Sequence, residues 1–411
     1  AASLIFYSWG EPRLVVLMLL AVLVAYVGGL LIDRFRNKGK PGLQKLAFWI
    51  TTVLLTGNLF FFKYLNFTVD NLNRLGLDMV IPAIALPIGI SFYTFQSMGY
   101  LIDVYRKTAR AEKNPLRLAL FVSYFPQLIQ GPISRFGDLA PQLFSEHRFD
   151  GFRFRSGLGR VAWGYFKKLV VADTAMIAVK ALVENKDGGF TGIYVFLLIL
   201  LYSAQIYGDF TGGIDITVGL SEMMGIRLAE NFDRPFSSRS TKEYWRRWHI
   251  TLGSWFREYV YIPLGGNRVS KAKIIRNLLI VWLLTGFWHG ASWNFILWGL
   301  LLFVLLTVER FGLRAFFERH RWVGHLYMLL AIPLSWMLFA ITDFSQLGVF
   351  FSRLFPLDGQ IGGIFAGDWL EFGQVYGHWL ALCLLFCTPL PKKLWAKVKT
   401  TPVAILFLLA V

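Results

Sequence analysis

Charge is scarce in this 411-residue chain, and acid is scarcer than base. Only 16% of residues are charged, with 25 Asp and Glu against 42 Lys and Arg, for a formal net charge of +17. That scarcity, beside 55% hydrophobic and 17% aromatic content, excludes an ordinary soluble domain, which could not hide so much apolar surface. Cysteine is nearly absent: Cys383 and Cys387 lie four apart in one apolar segment. That spacing sets both on one helix face as core thiols and excludes a disulfide framework. No Cys/His grouping has metal-ligand spacing and no Gly-x-Ser-x-Gly nucleophile elbow occurs, so no metal and no bound cofactor are expected. There is no nucleic-acid-binding motif, no signal peptide and no sustained apolar–polar alternation, which excludes nucleic acid as a partner and a β-barrel as the fold.

What is present is a series of long apolar runs, several near or above the roughly 20 residues that cross a bilayer. The chain reads as an all-α polytopic membrane protein forming one integral domain over residues 1–411. It begins and ends inside apolar runs, without an initiator Met, so truncation at both termini is expected. The basic residues fall in short loops: Arg34 to Lys45, Arg106 to Arg117, Arg234 to Arg247, Lys392 to Lys399. Such loops are expected on the cytoplasmic side, against anionic headgroups. Stretches near 46–67 and 80–103 read as one hairpin, and Gly157–Val183 with Gly192–Tyr207 as another. Ala119–Ile133 and Ile250–Leu264 are too short to span and have basic residues on both sides, so they read as re-entrant or interfacial. Asn277–Val308 suits a bent pair of helices around Gly286–Gly290, and Trp322–Ile341 a span. Thr342–Gln374, with its four acids, is expected outside, with Val375–Leu390 returning. Short dips and a broken helix imply a central funnel, because irregular backbone at that depth must be buried in protein or line water.

His289 lies within the run Asn277–Trp298. An ionisable group at membrane depth is a functional candidate, although a histidine hydrogen-bonded to a neighbouring helix for packing alone fits equally well. Gly286 and Gly290 beside it imply a break or a very close approach. The second block is Glu243–Arg268. Read as a helix, it sets Trp245 and His249 on one face, followed by Leu252 and Phe256, with Arg246 and Arg247 elsewhere. An interfacial amphipathic helix with an aromatic and arginine belt would look the same. Two histidines forty positions apart, each beside tryptophan, favour a site. Imidazole takes and gives protons near neutral pH, and acyl transfer to a hydroxyl needs such a base and donors for the developing oxyanion. Gly265-Gly-Asn-Arg268 either holds a phosphate or is a plain turn.

Three stretches, Trp245-Arg-Arg-Trp-His249, Tyr261-Ile-Pro-Leu-Gly-Gly-Asn-Arg268 and Gly286-Phe-Trp-His-Gly-Ala-Ser-Trp293, resemble the membrane-bound O-acyltransferase (MBOAT) superfamily, in its bacterial alginate O-acetyltransferase-like branch. Leu86–Phe95, Phe125–Arg135, Asp209–Asp215 and Glu230–Pro235 support the resemblance, which covers most of the chain. It departs from the family's Asp-Phe-Ser-Gly-Tyr-Ser-Asp pattern, where Gly213-Ile214 replaces the Tyr-Ser pair. The resemblance implies a ring of transmembrane helices, with re-entrant and broken helices around a thin centre, in the bacterial cytoplasmic membrane. It implies acyl transfer from a cytoplasmic thioester, acetyl-CoA or an acyl carrier protein, through the membrane to a polysaccharide or cell-wall polymer. It also implies a separate extracytoplasmic SGNH-like transferase as partner. The family's histidine maps to His289, the general base or acyl-handling residue, and its second polar position to His249, which orients or shuttles a proton. Arg246, Arg247, Arg257, Arg268, Trp245, Trp288 and Trp293 are the candidate donor contacts. The competing readings are D-alanyl transfer from a carrier protein toward teichoic acid, and a lipid or acyl transporter with gating histidines.

Overall fold

In the computed structural model the described residues are 2–82, 84–184, 192–355 and pieces between 373 and 401, and among them there is helix and no strand. Five helices are long and apolar enough to cross a membrane: Val15–Asn37, Pro41–Arg74, Val195–Met223, Trp293–Arg319 and Arg321–Ala340. Helices of this length and hydropathy make the chain a multi-pass helical membrane protein. Its internal contacts gather into two units, residues 1–154 with 220–229 and 254–263, and the remainder.

The first unit is built on α1 (Ala2–Gly10), α2 (Val15–Asn37), α3 (Pro41–Arg74) and α4 (Ile90–Arg106). Helix α2 packs on both α3 and α4. Small residues allow the approach: a Cβ on Gly28 would strike the Thr51 side chain, and one on Gly29 would meet the Tyr100 hydroxyl at 2.7 Å. The expected hairpin is therefore present, although its second helix starts only at Ile90, after Pro82 and Pro87 have kept the chain irregular. The short stretch before residue 133 is broken, as its length implied, into α5 (Pro115–Val122) and α6 (Phe125–Leu128), followed by α7 (Phe136–Phe144).

The second unit follows from α8 (Gly151–Tyr165), which continues through a wider π-helical stretch, Phe166–Asp173, into α9 (Thr174–Glu184). It faces α10 (Ile193–Met223) across glycines: a Cβ on Gly164 would meet the Gly212 carbonyl oxygen at 2.6 Å, and one on Gly219 the Gly157 carbonyl oxygen at 2.6 Å. Such contacts let helix backbones approach closely where lipid gives no hydrophobic drive. Next come α11 (Thr241–Arg247), α12 (Ile250–Phe256), α13 (Lys271–His289) and α14 (Trp293–Val308). The chain continues with α15 (Arg314–Arg319), α16 (Arg321–Ala340) and α17 (Phe344–Leu354), and later α18 (Leu390–Val398). Asn277–Val308 is thus a bent pair. Its break, at Gly290–Ser292, uses extended backbone open to any residue. Glycine is required there for space instead. A Cβ on Gly290 would strike the Phe295 ring, one on Gly286 would meet the Phe295 carbonyl oxygen at 2.5 Å, and one on Gly299 would strike the Trp282 carbonyl. Cys383, Cys387, three of the four acids after residue 342, and half of the expected return span lie outside the described residues.

Candidate active site

The site is assembled within the second unit from helix ends. Helix α11 has seven residues and cannot persist alone. Its first N–H groups are satisfied from elsewhere: Glu309 takes those of Thr241 (2.7 Å) and Lys242 (3.3 Å), and the Ser240 hydroxyl takes that of Glu243. A buried carboxylate at a helix N-terminus also suits the helix dipole.

The helix then stops, which corrects the expected single face shared by Trp245, His249, Leu252 and Phe256. Trp248 is extended and His249 turns left-handed at φ 45°, before α12 begins at Ile250. Asn231 explains the break. Its carbonyl accepts from Ile250 N (3.0 Å), while its side-chain oxygen accepts from Thr251 N (3.0 Å) and the Thr251 hydroxyl (3.0 Å). The first amides of α12 are therefore capped from a distant segment. In an isolated helix the residue before it supplies that cap; here His249 occupies that place, and its ring is released from capping. A further bond, Asp233 N to Arg247 O (2.9 Å), clasps the other side of the turn.

The freed ring is only 3% exposed. Its Nδ1 lies 3.3 Å from the same Asn231 oxygen, and its Nε2 is buried without a hydrogen-bond partner. Phe210 meets it edge-on at 4.9 Å. His249 lies outside the five membrane-length helices, and burial pushes its imidazole down to about 3, so the ring is neutral near pH 7.

His289 is the last residue of α13 and is half-buried. Ring edges flank it: Trp298 of α14 at 5.0 Å, Phe339 of α16 at 5.3 Å and Trp288 at 4.9 Å. The Trp288 ring is also 5.7 Å from the His249 ring. One indole therefore borders both histidines, which the sequence places forty residues apart. Behind them Trp245, Trp298 and Trp336 form a mutual cluster with centroids 5.4 to 6.2 Å apart. Their three indole N–H groups are buried without partners. An apolar wall carrying open donors suits an acyl carbonyl, which needs surrounding hydrocarbon and a hydrogen bond to its oxygen.

The remaining candidates separate. Trp245 belongs to this wall and Trp288 joins the two rings, while Trp293 opens α14 and is exposed. Arg247 is committed to Glu243 (2.7 Å) and Ser237 (3.0 Å), whereas Arg246 is exposed. Arg257 falls in the first unit, exposed and paired with Glu258 at 3.0 Å. Gly265 and Gly266 are both left-handed, and Arg268 N donates to Gly265 O (3.0 Å), so this motif closes as a turn with that amide engaged. Among the described residues no group of three His, Cys, Asp or Glu could hold a metal.

Sequence reasoning missed what stands behind His249. Arg160 grips Glu230 through two bonds of 2.8 Å and reaches Asp215 at 2.9 Å, while Lys167 pairs with Asp215 at 2.6 Å. Three helical segments thereby fix the residue next to Asn231. The only signal for this was the acidic residues of the stretches Asp209–Asp215 and Glu230–Pro235.

A family model described as the membrane-bound O-acyltransferase family matches residues 106–320, which include both histidines. The chain is 37% identical to the probable alginate O-acetylase of Pseudomonas putida, over 90% of this chain and 74% of that protein. It is 34% identical to a peptidoglycan O-acetyltransferase of Helicobacter pylori, over 88% of this chain and 72% of that one. A teichoic acid D-alanyltransferase of Bacillus subtilis is 29% identical over 57% of this chain and 62% of its own length.

Proposed function

Since the chain belongs to the membrane-bound O-acyltransferase family and is an O-acyltransferase, we propose that it moves an acetyl group from a cytoplasmic thioester toward hydroxyls of an extracytoplasmic polysaccharide or cell-wall polymer. The protein sits in the bacterial cytoplasmic membrane, and a separate extracytoplasmic transferase completes delivery to the polymer. The observation that carries this reading is the pair of histidines bordering one indole, beside an aromatic wall with open N–H donors.

In the reaction an acceptor hydroxyl gives its proton to an imidazole as its oxygen attacks the thioester carbonyl. The carbon–sulfur bond breaks, an ester bond forms, and the proton leaves with the thiolate as a thiol. His289 is the base at the reacting carbon, and His249 relays the proton. A thioester is already activated, so the step needs neither a metal nor a covalent enzyme intermediate. Indole N–H groups steady the developing oxyanion.

Acetyl transfer is favoured over D-alanyl transfer by the greater identity and coverage of the acetyl-transferring relatives. The test is donor-dependent transfer in proteoliposomes, with acetyl-CoA, acetylated carrier protein and D-alanylated carrier protein compared. Acetyl incorporation that vanishes in His289→Ala is expected. Full activity of that variant, or substrate movement without cleavage of the acyl bond, would overturn the reading.

A further inference from the structure

Asn231 does more than close a turn. The orientation of its amide is settled by a group with no ambiguity: Thr251 N can only donate, so the atom 3.0 Å from it is the oxygen. The Thr251 hydroxyl donates to the same oxygen. An amide oxygen accepts and cannot donate, so the imidazole nitrogen 3.3 Å away from it, Nδ1 of His249, must carry a hydrogen. A neutral imidazole has one N–H, which leaves a bare lone pair on Nε2.

From this we infer that Asn231 is a positioning residue for acyl transfer: it locks His249 as the Nδ1–H tautomer, so that its bare Nε2 can take up the proton it relays. The inference rests on the reading above, in which His249 handles a proton. Nε2 is buried and has no partner, and a buried acceptor left open calls for a donor that arrives with the substrate or a water. A hydroxyl is such a donor. The left-handed backbone at His249 fits this role, since it swings the ring off both helices and onto Asn231. The two clasping bonds at Arg247 and Ile250 hold that backbone, and Arg160 holds Glu230 beside Asn231. Simple capping of α12 would need the bond to Thr251 N alone and would be indifferent to the tautomer of His249.

The experiment is nitrogen-15 NMR of histidine-labelled full-length protein in lipid, with His249→Gln used to assign the signal among the six histidines. The expected spectrum shows a protonated Nδ1 and an unprotonated Nε2. Asn231→Asp keeps an acceptor and should keep both the tautomer and, within about tenfold, the transfer rate. Asn231→Leu should give mixed tautomers and lose about a hundredfold in transfer, the lower end of what a positioned proton-transferring side chain contributes. A wild-type ring protonated at Nε2, or an unchanged tautomer in Asn231→Leu, overturns the inference. The spectrum is read without donor or acceptor. Wild-type protein that shows the expected tautomer but transfers no acyl group would therefore count against the transferase reading and leave the geometry standing.

Discussion

The surroundings of the two histidines are built from different materials. His249 sits in a polar clasp: one amide oxygen, two backbone bonds across the turn, and an ion network one residue behind. His289 ends a helix among ring edges, where α13 and α14 cross at glycines. Hydrogen bonds fix which atom faces where, because they are directional. Aromatic packing fixes shape and excludes water, with geometry specified more loosely. Under the proposed roles, the clasp suits the first histidine to relaying a proton in a fixed orientation. The ring edges suit the second, as the proposed base, to a hydrocarbon-lined place for the acyl group.

The largest effect should fall on the aromatic side. His289→Ala is expected to lower acetyl transfer by about 10²–10⁴-fold, the span of a lost general base, with folding unchanged by thermal melting. Activity within threefold of wild type, beside a severe loss in His249→Ala, would reverse the two roles.

Next comes the polar side. Arg160→Met removes the partner of Glu230 and one of the two partners of Asp215, which keeps Lys167. Removing a partner from a buried pair costs roughly 3–5 kcal/mol, and the lower end is expected because Glu230 is about half exposed. The melting temperature should drop, and the His249 tautomer should become mixed even in the fraction that remains folded. A drop in melting temperature with His249 unaltered would separate the ion network from the clasp. On the aromatic side the matching change is Gly299→Ala. Its Cβ would press on the Trp282 carbonyl, which is backbone and cannot rotate away, and overpacking of this kind costs about 1–3 kcal/mol. That variant should lose stability and transfer together while the His249 spectrum stays wild type.

The aromatic side was the more legible of the two. Helical class, the bent pair and the importance of Gly286 and Gly290 follow from apolar run length and small residues, both local properties of the chain. His249 and His289 stood out as ionisable groups beside tryptophan, and the resemblance supplied their roles. The clasp was hidden for a physical reason: its bonds join residues 14 to 70 positions apart, and periodicity carries no information about such pairings. The local rule misled at His249. Trp245 and His249 have helical spacing, and the helix ends between them only because Asn231, from another segment, caps the next one. At Gly265–Arg268 the sequence left a phosphate site and a turn both open, and the left-handed backbone of the paired glycines makes it a turn.

The smallest effect tests whether the arginines beside the clasp belong to it or to the donor. Arg247 is spent on Glu243 and Ser237, while Arg246 on the same short helix is exposed. An exposed charge contributes roughly 1 kcal/mol or less. Arg246→Ala should therefore raise the KM for acetyl-CoA by up to about fivefold at low salt, with kcat unchanged and the difference shrinking as ionic strength rises. Arg247→Ala should do the opposite: it leaves one oxygen of Glu243 without Arg247, loosens the end of α11 just before the His249 turn, and lowers kcat with little change in KM. If both variants raised KM alike, Arg247 would be a donor contact, and the clasp would end at Asn231.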